Sequence, residues 1–172
     1  MGRIVVGLLF LLFQFDFDRN GVKIELIPDF VGFFLIGSGL LRIRRDSAQC
    51  EAAIPWAMGL GMFSFIVYIA NLFGINAIPY IEIFLDHVIP IVTLYLYYLI
   101  ADGILQIEKK NRRDLNGDYL KRAWFYLVFT TIISFFGFVN SIFKLLITAA
   151  VFVCHLYYIF CMNDVRKRYS EN

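Results

Sequence analysis

Charged residues are scarce in this chain of 172 residues: Asp, Glu, Lys and Arg together make up 17% of it, whereas 60% is apolar and 18% is aromatic. A soluble domain usually has about 25% charged and about 45–50% apolar residues. The excess of apolar surface predicts an integral membrane protein whose first partner is the lipid bilayer. The net charge of only +2 gives no indication of nucleic-acid binding.

Sequence features of enzymes and metal sites are also lacking. The three cysteines, Cys50, Cys154 and Cys161, have neither the spacing of a metal site nor the even number that disulfides require. No nucleophile-elbow, zinc-protease or phosphate-loop motif occurs. The sequence therefore predicts a protein that is not an enzyme and that uses no cofactor or metal.

Apolar stretches fill most of the chain. They lie at about 4–15, 29–43, 53–74, 80–106, 122–143 and 145–163. The last four each hold roughly the 20 residues that a helix needs to cross a hydrocarbon core of about 30 Å. The first two are shorter, and they either cross or form a re-entrant pair. We expect an all-α membrane protein, a compact bundle of about six transmembrane helices in a single domain over residues 1–172.

The basic residues predict how this bundle is oriented. If the N-terminus is inside and every stretch crosses, the outer segments hold only Arg19, Lys23 and Lys144, and the other thirteen of the 16 Lys and Arg residues are inside. Lys and Arg are retained on the cytoplasmic side of a bilayer. The pattern predicts a multi-pass protein of the cell membrane with both termini cytoplasmic, and a re-entrant first pair would not change this.

Residues 15–26, FDFDRNGVKIEL, alternate apolar and polar side chains around an Asn-Gly dipeptide. This dipeptide is the strongest short signal for a β-hairpin. A two-residue turn would place Phe17 opposite Ile24 and Asp18 opposite Lys23. We expect a short outer hairpin whose apolar face rests on the ends of the helices.

The same segment also matches the first half of a calcium-binding loop, D-x-D-x-N-G, beginning at Asp16. The twelfth position of that loop is Ile27, where a bidentate Glu belongs. The hairpin is therefore the favoured interpretation.

Two carboxylates on the fourth stretch are the first candidates for a functional site. Glu82, Asp86 and Tyr97 fall on one helical face. A carboxyl group at membrane depth is costly unless it is paired or hydrated, which makes it a functional candidate. Pro90 removes the helical hydrogen-bond partner of the Asp86 carbonyl. This combination predicts a ligand-binding site or a hinge on the fourth helix.

The fifth and sixth stretches offer polar groups that could face this site. Thr130 and Ser134 share a stripe on the fifth, and His155 lies near the middle of the sixth, where a neutral imidazole needs a hydrogen-bond partner. We expect that partner to be Asp86 or Tyr97. The alternative is that these groups only form hydrogen bonds between helices.

Together these residues predict an outward-facing site that binds or transports a small solute. The outer segments hold six carboxylates against three basic residues. This excess favours a cationic solute, held by carboxylate and cation-π contacts. The ligand-binding residues are then Glu82, Asp86, Tyr97, Thr130, Ser134 and His155.

A stripe of small residues favours a different function. Ala53, Ala57 and Gly61 repeat at intervals of four on the third stretch, a pattern that allows close helix approach. It is usually intramolecular, but it could dock another membrane protein. The chain would then be a non-catalytic scaffold or accessory subunit of a membrane complex.

The segment KIELIPDFVGFFLIGSGLLRI, residues 23–43, resembles small bacterial membrane proteins of unknown function that carry L-[IL]-P-D-F-[IV]-G after a short first span. The resemblance implies a bacterial multi-span protein and no particular activity. In size and number of spans the chain is also similar to the substrate-binding components of energy-coupling-factor vitamin transporters. Those proteins place their small-residue stripe on the first helix, whereas here it is on the third.

Overall fold

The computed structural model describes residues 1–13, 16–19, 22–25, 28–73, 79–135 and 141–170, and for 16–19, 22–25, 71, 79–86 and 141 it describes the backbone only. These residues form an all-α bundle of six helices: α1 Gly2–Leu12, α2 Asp29–Ile43, α3 Ala48–Leu72, α4 Pro79–Asn111, α5 Gly117–Phe135 and α6 Ser141–Ser170. Two short strands, β1 Asp16–Arg19 and β2 Val22–Glu25, lie between α1 and α2.

The two strands pair antiparallel in the register that the sequence predicts. Phe17 lies opposite Ile24, and Asp18 lies opposite Lys23. The second strand runs beside α3. The turn and the strand side chains fall outside the described residues, so the apolar contact of the hairpin with the helices and the calcium alternative both stay predictions.

The six helices form a closed ring. Each helix packs against the next one along the chain, and α1 packs against α6. Side chains tie neighbours together: the Ser47 hydroxyl donates to Gln106 Oε1 at 2.9 Å between α3 and α4, and the Trp124 indole N–H donates to the Leu94 carbonyl at 2.8 Å between α5 and α4. The ring encloses an interior to which several helices contribute.

Successive helices run antiparallel, so the segments predicted to lie inside the cell meet at one end of the bundle. Lys110 Nζ donates to the Arg45 carbonyl at 3.5 Å, and Asn116 Nδ2 donates to Asp164 Oδ2 at 2.7 Å. Thirteen of the 16 Lys and Arg residues are in or next to these segments. We call this the basic end, made up of residues 1–3, 42–47, 108–122 and 164–170.

Glycines let α1 and α2 approach closely. A methyl group added at Gly7 would lie 2.6 Å from the carbonyl oxygen of Gly32, and one at Gly39 would lie 2.5 Å from Ile4 Cγ1. Real side chains do not tolerate such distances without backbone movement. These glycines therefore serve packing inside the bundle, and their close contacts determine how the two helices are rotated.

Large apolar side chains cover the outside of the helices. Examples with more than half of their surface exposed are Met62 and Ile66 on α3, Phe129 on α5, and Leu145 and Phe160 on α6. Contiguous apolar surface of this kind is typical of contact with lipid or another protein. It agrees with the membrane class that the composition predicts.

Three of the described helices are long and apolar enough to cross a membrane, over Ala48–Ala70, His87–Asn111 and Ile142–Ser170. By contrast, α1 and α2 have 11 and 15 residues, which is about 17 and 22 Å at 1.5 Å per residue. Both fall short of a hydrocarbon core of about 30 Å. The described residues thus form six helices, and three of these have the length and the apolar composition to cross a membrane.

The boundary between the fifth and sixth helices differs from the one predicted. The sequence places the break at Lys144, whereas α5 ends at Phe135 and α6 begins at Ser141, so that Lys144 lies in the first turn of α6. Residues 136–140, which fall outside the described residues, are apolar in sequence except for Asn140. Hydropathy therefore does not show where α5 ends. Lys144, the first charged residue after it, lies inside α6 and does not mark a helix boundary.

Candidate functional site: a polar cavity inside the helix ring

A cavity of about 390 Å³ lies inside the ring, in the half away from the basic end. We call it the central cavity. Among the residues that the structure describes, five helices contribute to it and α3 does not. The residues that line it are Leu11, Leu12, Asp29, Phe33, Ile89, Pro90, Thr93, Leu94, Tyr97, Thr131, Ser134, Thr148, Val151, Phe152 and His155.

Two tyrosines close the central cavity toward the basic end. The rings of Tyr97 on α4 and Tyr158 on α6 stack with centroids 5.0 Å apart and an interplanar angle of 12°. The Tyr158 hydroxyl donates to the Tyr97 carbonyl at 2.9 Å. Below the pair, Ile104 and Met162 are completely buried. The ring interior is therefore open and partly polar in one half and densely packed in the other.

Three of the six residues predicted to bind a ligand line the central cavity. They are Tyr97, Ser134 and His155, and each comes from a different helix. Glu82 and Asp86 lie within α4, but their side chains fall outside the described residues. Their role therefore stays a prediction.

Thr130 is the predicted site residue that does not line the cavity. Its neighbour Thr131 does, so that the inward face of α5 runs through Thr131 and Ser134. The Thr130 hydroxyl donates to the Tyr126 carbonyl of its own helix at 2.8 Å. A threonine whose hydroxyl bonds its own helix can face away from the cavity at little cost in free energy. The spacing of polar residues along α5 therefore does not reveal which face lines the cavity.

His155 forms its described hydrogen bond within its own helix. Its Nδ1 lies 3.1 Å from the Val151 carbonyl of its own helix. Tyr97 instead contacts the imidazole edge-on, with ring centroids 6.0 Å apart. The side chain of Asp86, the other expected partner, is not described. Nδ1 is thus satisfied within α6, and a bond from the second nitrogen to Asp86 stays a prediction.

Two polar residues of the cavity, Asp29 and Thr148, are not among the six predicted ligand-binding residues. Asp29 lines the cavity at the N-terminus of α2. Thr148 lies seven residues before His155, a spacing that places both on one helix face. The signal for Asp29 is a carboxylate at the border of an apolar stretch, and it is visible in the sequence.

The charge of the cavity lining has one sign. Asp29 is acidic, and no Lys or Arg is among the lining residues in the described part of the chain. The helix dipole of α2 and the N–H groups of its first turn favour a negative charge at this position. In the same part of the chain, no three His, Cys, Asp or Glu residues are grouped so as to hold a metal ion.

The stripe of small residues on α3 faces the interior of the bundle. Ala53 and Ala57 are fully buried, and a methyl group added at Gly61 would lie 2.9 Å from the Phe34 ring of α2. The face is thus occupied within the chain. A partner could dock there only if α2 moved away, so the docking interpretation of this stripe gains no support.

Comparisons with protein family models, with curated proteins and with solved structures found no match. The resemblance of residues 23–43 to small bacterial membrane proteins therefore stays an expectation.

Proposed function

We propose that this chain is a non-catalytic, multi-span membrane protein that binds a small cationic solute in the central cavity. The observation that carries the proposal is the cavity itself, which is open in one half of the ring and closed by Tyr97 and Tyr158 in the other. A volume of about 390 Å³ falls within the usual range for small-molecule sites, roughly 300–1,000 Å³. Passage of the solute to the basic end would require the two tyrosines to separate.

The basic end supports a cytoplasmic orientation for both termini. Positively charged loops are retained in the cytoplasm, and the structure gathers thirteen of the 16 Lys and Arg residues at or near one end. The central cavity then opens toward the outside. In this arrangement α1 begins and α2 ends on the cytoplasmic side. The two helices either cross the membrane with the help of the segment between them or form a re-entrant pair.

The lining favours a cation. Asp29 contributes a carboxylate, and the described lining contains no Lys or Arg. The faces of Phe33 and Phe152 offer apolar contact and an attractive quadrupole for a positive charge. An anionic solute would meet only repulsion from Asp29.

Thermal unfolding of the detergent-purified protein tests this proposal. Butylammonium, acetate and glycerol serve as cationic, anionic and neutral probes at constant ionic strength. We expect butylammonium alone to raise the unfolding midpoint, and Asp29→Asn to abolish the rise. Asp118→Asn is the matched control, because Asp118 also lies in the first turn of a helix but is exposed at the basic end. Equal shifts from all three probes, or none, would contradict a cation site.

A further inference from the structure

Two hydroxyl groups of the central cavity, those of Ser134 and Thr148, have their protons committed to their own helices. Ser134 Oγ lies 2.6 Å from the Thr131 carbonyl, and Thr148 Oγ1 lies 2.9 Å from the Lys144 carbonyl. A carbonyl oxygen cannot donate, so each hydroxyl must be the donor. Each hydroxyl oxygen therefore has only lone pairs to offer a ligand.

The imidazole of His155 follows the same rule. Its Nδ1 is 3.1 Å from the Val151 carbonyl, which again can only accept. Nδ1 therefore carries the proton, and in the neutral ring Nε2 is an acceptor. An ionised Asp29 accepts as well. Four polar groups of the lining, on α2, α5 and α6, thus present acceptors.

An acceptor-rich lining selects among cations. A quaternary ammonium ion has no N–H group, and proteins usually hold it within a cage of aromatic faces. In the central cavity, Tyr97 has one ring face covered by Tyr158, which leaves fewer faces for such a cage. A protonated amine can instead donate several charge-assisted hydrogen bonds at once.

We propose that the solute is a protonated amine that keeps its N–H groups and carries a small apolar body. This inference rests on the proposed function and narrows its substrate class. The ammonium group donates to Asp29, His155 and the hydroxyl groups of Thr148 and Ser134. Leu94 and Val151, which also line the cavity, contact the hydrocarbon part.

A pair of probes that differ only in N-methylation tests the inference. Butylammonium and butyltrimethylammonium chloride carry the same charge and the same alkyl chain, and both are fully cationic at neutral pH. Their apparent affinities are measured from the rise in unfolding midpoint of the full chain in detergent. We expect the quaternary ion to bind at least about tenfold more weakly, because hydrogen bonds that involve a charged group are the strong ones.

Matched threonine variants show whether the lining is responsible. Thr148→Val removes an acceptor at nearly constant shape and should weaken butylammonium several-fold, with butyltrimethylammonium unchanged. Thr130→Val is the control, because the Thr130 hydroxyl bonds its own helix in the same way but lies outside the cavity. Ser134→Ala repeats the test should Thr148→Val not fold.

The outcomes separate the two proposals. Equal binding of the two ions by the unchanged protein, or equal effects of Thr148→Val and Thr130→Val, would overturn the inference and leave a cation site in place. If neither ion binds, or if Asp29→Asn changes nothing, the proposed function itself is overturned.

Discussion

Tyr158 donates its hydroxyl proton to the backbone carbonyl of Tyr97 at 2.9 Å, and the two rings lie nearly parallel. The two residues are on α6 and α4, which are not neighbours in the ring of helices. Both are almost completely buried. The pair therefore links two helices that α5 separates in the ring, and it divides the central cavity from the packed half at the basic end.

Removal of this hydroxyl should destabilise the bundle measurably. Tyr158→Phe keeps the stacking and loses one buried hydrogen bond, which is typically worth about 1 kcal/mol. Tyr119→Phe is the control, since Tyr119 is 53% exposed. Reversible unfolding by SDS in mixed micelles measures both variants. Equal stabilities for the two would show that the bond contributes nothing to folding.

Glycine substitutions should separate close packing from helix propensity. Gly7→Ala should cost about 1–3 kcal/mol, because its methyl group would meet the backbone of Gly32. Gly59→Ala should be neutral or stabilising, because nothing lies within 4 Å of a methyl group there. Unfolding free energies in the same micelles provide the measurement. A neutral Gly7→Ala would mean that α1 and α2 are further apart than described.

The start of α3 depends on Ser47, which is 6% exposed. Its hydroxyl oxygen accepts from the Cys50 N–H at 3.3 Å and its proton goes to Gln106 at 2.9 Å. Ser47→Ala should cost about 1–2 kcal/mol, the usual range for loss of an N-cap. Ser38→Ala removes a hydroxyl that bonds only the Leu35 carbonyl of its own helix, and it should have little effect. The reverse order of stabilities would exclude this capping role.

Single cysteines at the two ends of the bundle should report the orientation. In a background with Cys50, Cys154 and Cys161 changed to Ala, Phe73→Cys and Lys110→Cys each add one thiol at an exposed position. A membrane-impermeant maleimide should label residue 73 in intact cells and residue 110 only after permeabilisation. Labelling in the opposite pattern would place the central cavity on the cytoplasmic side and reverse the proposed direction of access.

Much of the fold is predictable from local sequence. The hairpin register follows from an Asn-Gly dipeptide and strict alternation, both of which act over a few residues. The gathering of basic segments at one end follows from antiparallel succession of helices. By contrast, the end of α5 and the start of α6 are not predictable from hydropathy, because residues 136–140 are nearly as apolar as the helices.

The site is only half predictable, and Thr130 shows why. In water a polar stripe must face solvent, but in a lipid-facing helix a hydroxyl can satisfy itself on the preceding turn and face any direction. The same is true of His155, whose Nδ1 bonds the Val151 carbonyl. Polar spacing along one helix therefore does not reveal which residues of different helices meet.

The sequence by itself predicted a membrane protein, six helices and the end at which the cations collect, because hydropathy and charge act on each segment separately. Only the tertiary structure decided that Asp29, Ser134 and His155 line one cavity. Their meeting depends on how each helix is rotated about its axis. That rotation is determined by close contacts such as Gly7 with Gly32 and Tyr97 with Tyr158, which no single segment specifies.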